Sequence, residues 1–316
     1  MRAARVAGTL LARLTGVLFL GFALFHLLPG DPVSALTRGR PVTTEDLATI
    51  RAGFGLDLPL WKQFTSYVTA LAHGDLGTSL AAHRPVADML AERIGPTLLL
   101  TVSATVLSVT VGIATGVAAG WRPRGIGDRV GTGAAIVLWS APTFWLGMLL
   151  MAILGVAAGL FPIAGMRSTE SGGGGVLDVA HHLVLPCITL AAVQYAQYHL
   201  LIRSAVAAER HAVYVTLARA KGLPDALVRW RHAVPNAMAP TLSLVLTNLG
   251  FVVSGAVTVE AVFSWPGLGD LTFEALRGPD PPVLHGTFLL LCGSVVTADA
   301  IADVVLRRFD RRGGTT

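Results

Sequence analysis

Charge is scarce in this sequence. Of its 316 residues only 14% are charged and 53% are apolar, and the mean hydropathy is +0.63. That balance excludes an ordinary soluble domain and makes the bilayer the natural solvent for most of the chain. Lysine is almost missing. Lys62 follows Trp61 and Lys221 follows Ala220, so neither completes the Gly-Lys-Ser/Thr of a phosphate loop, which excludes a P-loop ATPase. Cysteine is equally sparse. Cys187 and Cys292 each fall inside an apolar run, with neither metal-ligand spacing nor a disulfide framework, and are expected as buried free thiols. A Gly-x-Ser-x-Gly stretch is lacking around Ser254, which with His199 or His285 would be needed for an intramembrane serine protease. Segments alternating apolar and polar over about ten residues are lacking too, which excludes a membrane barrel. Histidine is better represented, but the adjacent His181 and His182 point about 100° apart on a helix. They cannot hold one metal as an i, i+4 pair would, and no metal site is expected.

What is present is long apolar runs. A spanning helix takes about 20 apolar residues, and six segments qualify: 10–28, 96–120, 131–159, 183–202, 238–259 and 284–306. The expected fold is therefore all-α, a polytopic membrane protein with six transmembrane helices in a single domain over 1–316. The first run has the basic start of a leader peptide. It ends in "HLLPGDP" without a small-x-small site and reads better as a spanning helix stopped by Pro29, Gly30 and Pro32.

Basic residues orient the spans, because Lys and Arg stay on the cytoplasmic side of short loops. Most of the 24 basic residues share one face: Arg2, Arg5 and Arg13, the 121–130 loop, the 203–237 loop with Arg203, Arg210, Arg219, Lys221, Arg229 and Arg231, and the 307–316 tail. Both termini (1–9 and 307–316) and the 203–237 loop are expected in the cytoplasm, with 29–95 and 260–283 outside. The net charge of +5 thus reports topology, and no nucleic-acid partner is expected. A secondary transporter is the rival reading, since Asp299 and Asp303 lie i, i+4 on the last apolar run and could relay protons. Six helices leave little room for the usual inverted repeat, and no duplication is visible.

The most informative stretch is cytoplasmic, "YVTLARAKGLPDALVRWRHAVPNAMAP" at 214–240. Residues 209–221 favour a helix, Gly222 can take the left-handed conformation that ends one, and Pro224 follows. A second helix is expected over 225–233, with Leu227 and Trp230 on one face. Small residues at a bend let another protein approach the backbone closely, and Arg side chains offer directional donors. The plainer alternative is a basic loop that only keeps positive charge inside.

"TLARAKG", nine residues and then "HAVP" resembles the cytoplasmic EAA-type motif of ABC importer permeases, with Gly222 and Pro235 in register and Ala218 at its second alanine. Thr216 and Leu217 stand where that motif has Glu and its first Ala, a departure similar to that of the peptide branch. "HLLPGDP" (26–32), "FGLDLPLWKQF" (54–64), "GDLGTSL" (74–80), "PTFWLG" (142–147), "HLVLPCITL" (182–190), "VEAVFSWPGLGDL" (259–271) and "RRFDRR" (307–312) extend the resemblance to the dipeptide, oligopeptide and nickel permease family over nearly the whole chain.

The resemblance implies a type I ABC importer permease fold in a bacterial plasma (inner) membrane. The chain would form half of a translocation pathway as a heterodimer with a second, homologous permease subunit. Two ABC ATPase subunits would bind below, holding the ATP and Mg that this chain does not bind, and an extracytoplasmic solute-binding protein would dock above. Ala218, Arg219, Ala220, Lys221, Gly222, Leu223 and Pro224, with Pro235 behind them, would form the coupling loop. Glu260, Phe263, Trp265, Pro266 and Gly267 would gate the outer mouth or meet the binding protein, unless Phe263 and Trp265 are simple interfacial anchors. Di- and oligopeptides are the implied solutes, with nickel chelates as the alternative. The chain is expected to transmit work and to have no catalytic residue.

Overall fold

A computed structural model of the chain describes residues 2–27, 58–168, 174–251, 256–278 and 280–313. Among the described residues the secondary structure is helical apart from one antiparallel bridge, Thr78 to Pro85. The helices are α1 (Arg2–Leu27), α2 (Leu60–Ala72), α3 (Val86–Trp121), α4 (Ile126–Ser140), α5 (Thr143–Leu150), α6 (Val176–Glu209), α7 (Val213–Ala220), α8 (Asp225–Val228), α9 (Val234–Phe251), α10 (Val257–Phe263), α11 (Leu268–Arg277) and α12 (Pro281–Gly313). π-helical stretches continue α5 over Met151–Ala157 and join α8 to α9 over Arg229–Ala233. Expected features that fall on 28–57, including most of "HLLPGDP" and the start of the outer segment, lie outside the described residues, as do Ser254 and part of "SGGGG" at 171–175.

Three helical stretches are long and apolar enough to cross a membrane, Val86–Trp121, Val176–Glu209 and Pro281–Val305. A fourth crossing is made if the pair Ile126–Ser140 and Thr143–Ala157 counts as one, and α1 carries a shorter apolar stretch, Gly8–Ala23. With 36 residues, α3 is about 50 Å long and projects well beyond a hydrocarbon core of roughly 30 Å.

One expected element is corrected. The run 131–159 is not one straight helix: the helix starts at Ile126 and breaks at Ala141, with a bend of 108° between its halves. The cause is local, because Pro142 disfavours helical geometry at the residue before it, and Ala141 is extended at φ −80° and ψ 132°. Apolar content continues through the break, which hides it from a hydropathy reading.

The tightest packing joins α3 to α6. Gly112, Gly116 and Gly120 recur every four residues and so share one face of α3. A Cβ on Gly112 would lie 2.7 Å from Tyr198 Cβ, on Gly116 2.2 Å from Ile202 Cγ2 and 2.7 Å from the His199 carbonyl, and on Gly120 2.5 Å from the Arg203 carbonyl. The stripe therefore lets the two backbones meet, as small residues spaced by four do in membrane helix pairs.

Charge near this seam is matched. Asp128 of α4, 5% exposed, takes Arg203 Nη2 of α6 at 2.9 Å, with Arg203 Nε and the Arg124 amide as further donors. Arg203, counted above only among the basic residues of the 203–237 loop, is the partner of a buried acid, which offsets the cost of burying that charge. Apolar clusters hold both ends of the molecule. One gathers Val117, Trp121, Val206, Val215, Ala218 and Val228 under the 210–237 loop, and another gathers Val86, Leu90, Leu268 and Leu271 at the opposite end of α3.

Candidate functional site

The 210–237 segment is built around one turn. α7 ends at Ala220, and Gly222 takes φ +81°, in the left-handed region that glycine tolerates. The Gly222 amide donates to the Arg219 carbonyl at 2.9 Å and the Leu223 amide to the Ala218 carbonyl at 3.4 Å. These two bonds form a Schellman motif, completed by Leu223 packing against the cluster that contains Ala218. Pro224 then starts α8, accepting from the Leu227 and Val228 amides at 2.9 and 3.1 Å.

The expected second helix over 225–233 is shorter than the sequence indicated. α8 stops at Val228 and the chain widens into the π-helical stretch 229–233 before Pro235. In a regular α-helix the Pro235 ring would press on the carbonyl four residues back and leave that group unpaired. A wider turn relieves both, because local π geometry can re-pair the backbone groups that a proline frees.

Burial divides the loop into two faces. Val215, Ala218 and Val228 point inward, whereas Arg219, Ala220, Lys221, Gly222 and Pro224 are exposed and Leu223 is half-buried. Ala218, 5% exposed, therefore serves the loop's own core and is not available for outside contact. Two residues outside the expected contact set are exposed instead. Val213 and Leu217, at 85% and 55% exposure, lie i, i+4 on the outer face of α7, and Trp230 is half exposed nearby in sequence. Their signal was the apolar spacing itself. An exposed apolar stripe on a helix too short to cross a membrane is the kind of surface that protein contacts use.

The loop is tied to the end of α3. Trp121 Nε1 donates to Asp225 Oδ2 at 2.6 Å, and Arg219 Nη2 reaches Asp225 Oδ1 at 3.3 Å. The indole hydrogen bond, with Arg219 beside it, holds the Asp225 carboxyl below the usual carboxylate range.

At the opposite end, α10 closes on a turn in which Ser264 is left-handed at φ +47°. Glu260 is fully buried, and its Oε2 accepts the Gly269 and Asp270 amides at 2.6 and 3.3 Å, at the start of α11. Thr97 Oγ1 of α3 accepts the Leu268 amide at 2.8 Å, and Trp265 Nε1 donates to the Pro96 carbonyl at 2.9 Å. A Cβ on Gly267 would fall 2.3 Å from the Glu260 carboxyl, so only glycine fits there. Burial pushes Glu260 up to about 7, against the opposing pull of Thr97 and the two amides. Asp270 is also raised by burial, with Glu274 adding to the shift and Arg93, 3.1 Å away, opposing it.

The structure brings Glu260, Phe263, Trp265 and Gly267 together, but buries all four, leaving Pro266 half-buried and Ser264 exposed. As presented by this chain, Phe263 and Trp265 are neither interfacial anchors nor open contact residues. They are the inner wall of a rigid turn. Nearby, Asp280 is 3% exposed and accepts Ser79 Oγ at 2.5 Å and the Leu80 and Ala81 amides at 3.2 Å, fastening the 75–85 hairpin to the start of α12.

The other candidates are engaged elsewhere. His181 contacts the Leu160 carbonyl and His182 the Asp178 carbonyl, each at 2.9 Å. His199 sits between Thr115 and Tyr195, and His285 pairs with Tyr67. Asp299 lies 3.9 Å from Arg13. Among the described residues no three His, Cys, Asp or Glu side chains converge as a metal site would require.

Comparison with known proteins covers most of the chain. Residues 112–313 match the family described as "Binding-protein-dependent transport system inner membrane component", and residues 3–101 match its N-terminal companion, "Binding-prot-dependent transport system membrane comp, N-term". The chain is similar to the dipeptide transport system permease protein DppB of Escherichia coli (strain K12), 33% identical over 321 aligned positions that cover 95% of each chain. It is also similar to the glutathione transport system permease protein GsiC of Salmonella choleraesuis (strain SC-B67), 37% identical over 290 positions, covering 92% of this chain and 90% of the relative. Among solved structures, a chain of the inward-facing MetNI methionine ABC transporter superposes with a TM-score of 0.56 at 18% identity, covering 70% of this chain and 95% of that one. A chain of an amino acid ABC transporter crystallised with histidines gives 0.50 at 14%, covering 70% and 94%.

Proposed function

Because this chain belongs to the binding-protein-dependent transport system inner membrane component family, as an ABC importer permease of the peptide type, we propose that it imports di- and oligopeptides and is driven by a cytosolic ATPase through the 213–233 loop. The family is one of transport subunits, and the chemistry of ATP belongs in this proposal to separate partners. The observation that carries the reading is the loop itself. A Schellman-capped helix and turn present Val213, Leu217, Arg219, Ala220, Lys221 and Gly222 to the outside while Val215, Ala218 and Val228 anchor them from within.

In this reading the three long helices, the bent pair of α4 and α5 taken as one crossing, α1 and α9 give six, with both termini in the cytoplasm of a bacterial inner membrane. A second permease subunit completes the pathway, and a solute-binding protein docks at the outer mouth. The Glu260 turn backs that mouth as a rigid wall, with Ser264 and Pro266 as its accessible edge. Peptides are favoured by the two relatives, whose names give a dipeptide and the tripeptide glutathione as cargo.

Gly222→Trp tests the coupling. No atom lies within 4 Å of a Cβ there, so the interior is undisturbed, but φ +81° is strained for any side chain and costs about 1–3 kcal/mol. The variant is expected to insert normally and to lose the co-purifying ATPase, while wild type retains both the ATPase and a second permease. Normal transport by a well-inserted Gly222→Trp protein would reduce the loop to a basic connector. Uptake by proteoliposomes of a labelled dipeptide, a tripeptide and a nickel chelate, each with its binding protein, tests the cargo. Preference for the chelate would overturn the peptide assignment.

A further inference from the structure

We propose that Trp121, Asp225 and Arg219 form a clamp that makes the coupling loop and helix α3 move as one body. The proposal rests on the reading of 213–233 as the ATPase contact and adds the route by which movement leaves it.

By chain connectivity alone the loop is joined to α6 on one side and to α9 on the other, and α3 receives nothing directly. The side chains change that. Trp121 is the last residue of α3 and is 5% exposed. Its indole N–H meets Asp225 Oδ2 at 2.6 Å, and the other carboxylate oxygen takes Arg219 Nη2 at 3.3 Å. The Arg219 guanidinium also lies over the indole, 5.0 Å from the ring centroid. Arg210, just before α7, donates to the Trp121 carbonyl at 3.4 Å.

Arg219 and Asp225 stand on opposite sides of the Gly222 bend, so each closes a triangle whose third corner is α3. Hydrogen bonds to a carboxylate are shorter and about twice as strong as neutral ones, and one of these has its donor in a buried ring. Val117 and Trp121 share an apolar cluster with Val215, Ala218 and Val228, which removes slack beneath the clamp. A push on the exposed face of α7 is therefore delivered to α3 through side chains, and α3 reaches the outer turn at Pro96 and Thr97. Trp121, Asp225 and Arg219 are positioning residues: they touch neither cargo nor nucleotide.

The experiment uses the assembled importer in nanodiscs, with Cys187 and Cys292 replaced by Ser. Spin labels at Val111 on α3 and Ala226 on α8 report one distance by pulsed electron resonance, without nucleotide and after trapping with ATP and vanadate. Co-purification of the ATPase is recorded for every variant. Wild type is expected to give one narrow distance that is the same in both states. Trp121→Phe keeps the ring and loses the donor, and Asp225→Ala loses the acceptor. Each is expected to add a second distance population in the trapped state with the ATPase still bound, and the double variant is expected to match the singles.

A single unchanged distance in both variants, ATPase bound, would overturn the clamp and leave the coupling loop standing. A wild-type distance that itself shifts on trapping would also overturn it, because loop and helix would then move separately. Absence of the ATPase from wild type would remove the coupling reading instead. Loss of the ATPase from the variants alone would mean that these residues shape the docking surface, and the transmission claim would fall.

Discussion

Glu260 is a carboxyl group enclosed by protein and held near the start of α11 by two backbone amides. Its ionised form is disfavoured by burial, and its pKa of about 7 exceeds the ordinary glutamate value. The folded state therefore binds a proton more tightly than the unfolded chain, and stability contributed by the protonated group is present at low pH. It declines as pH rises from the ordinary glutamate range through about 7. The shift corresponds to a difference on the order of 3 kcal/mol. We predict that the wild-type melting temperature in detergent falls between pH 5 and pH 8 relative to that of Glu260→Gln, whose amide mimics the neutral acid. Parallel profiles for the two proteins would show that the carboxyl does not titrate in this range. The same residue shows what sequence conveys at this scale. "VEAVFSWPGLGDL" announces a special turn through its Trp, Pro and glycines, but nothing in it says that the Glu faces inward. Inward orientation comes from α3, whose Pro96 and Thr97 lie more than 160 positions earlier and accept the turn's donors.

Helix pairing carries the next level. Because Gly112, Gly116 and Gly120 bring α3 against the α6 backbone, even one methyl group at Gly116 would meet the His199 carbonyl at 2.7 Å and Ile202 Cγ2 at 2.2 Å. Gly116→Ala should destabilise the protein by about 1–3 kcal/mol, the usual cost of overpacking a tight contact. Gly133, with no atom within 4 Å of the place a Cβ would occupy, should accept alanine without loss. Thermal unfolding of the two purified variants checks the contrast, and equal melting temperatures would remove the stripe as a packing device. The run G-x-x-x-G-x-x-x-G stands in the sequence but was not singled out there, and the structure identifies it as a close-packed face of α3. The identity of the helix it meets was not legible, since contact between residues 112 and 198 depends on the fold as a whole. The break at Pro142 was half legible: Pro marks a restricted neighbour, but unbroken hydropathy argued for one straight span.

Over the whole molecule, the long apolar runs at 96–120, 183–202 and 284–306 each lie within a helix long enough to cross a membrane, and helical class follows from them directly. Orientation rests on basic residues, whose bias acts during insertion and is not reported by the contacts they make in the folded chain. It is predicted as follows: in a background with Cys187 and Cys292 replaced by Ser, Lys221→Cys is labelled by an impermeant maleimide only after the membrane is opened, and Ala82→Cys is labelled in intact cells. Reversed labelling would invert the topology and the proposed function with it. The turn after α7 was readable down to Gly222 because its geometry is local, set by a helix end, a glycine and a proline. The Trp121 contact was not readable, because it joins positions 104 apart.

That contact bears on how such a loop can be transplanted. Asp225 and Arg219 belong to the loop, whereas Trp121, which completes their hydrogen bonding, belongs to another helix. Residues 210–237 are consequently not a portable cassette. Grafted onto a sister permease without a matching donor at the end of its third helix, the segment would keep its bend and its outer face but carry an acid with half its partners missing. A chimera built to test the proposed ATPase contact would have to exchange position 121 together with the loop.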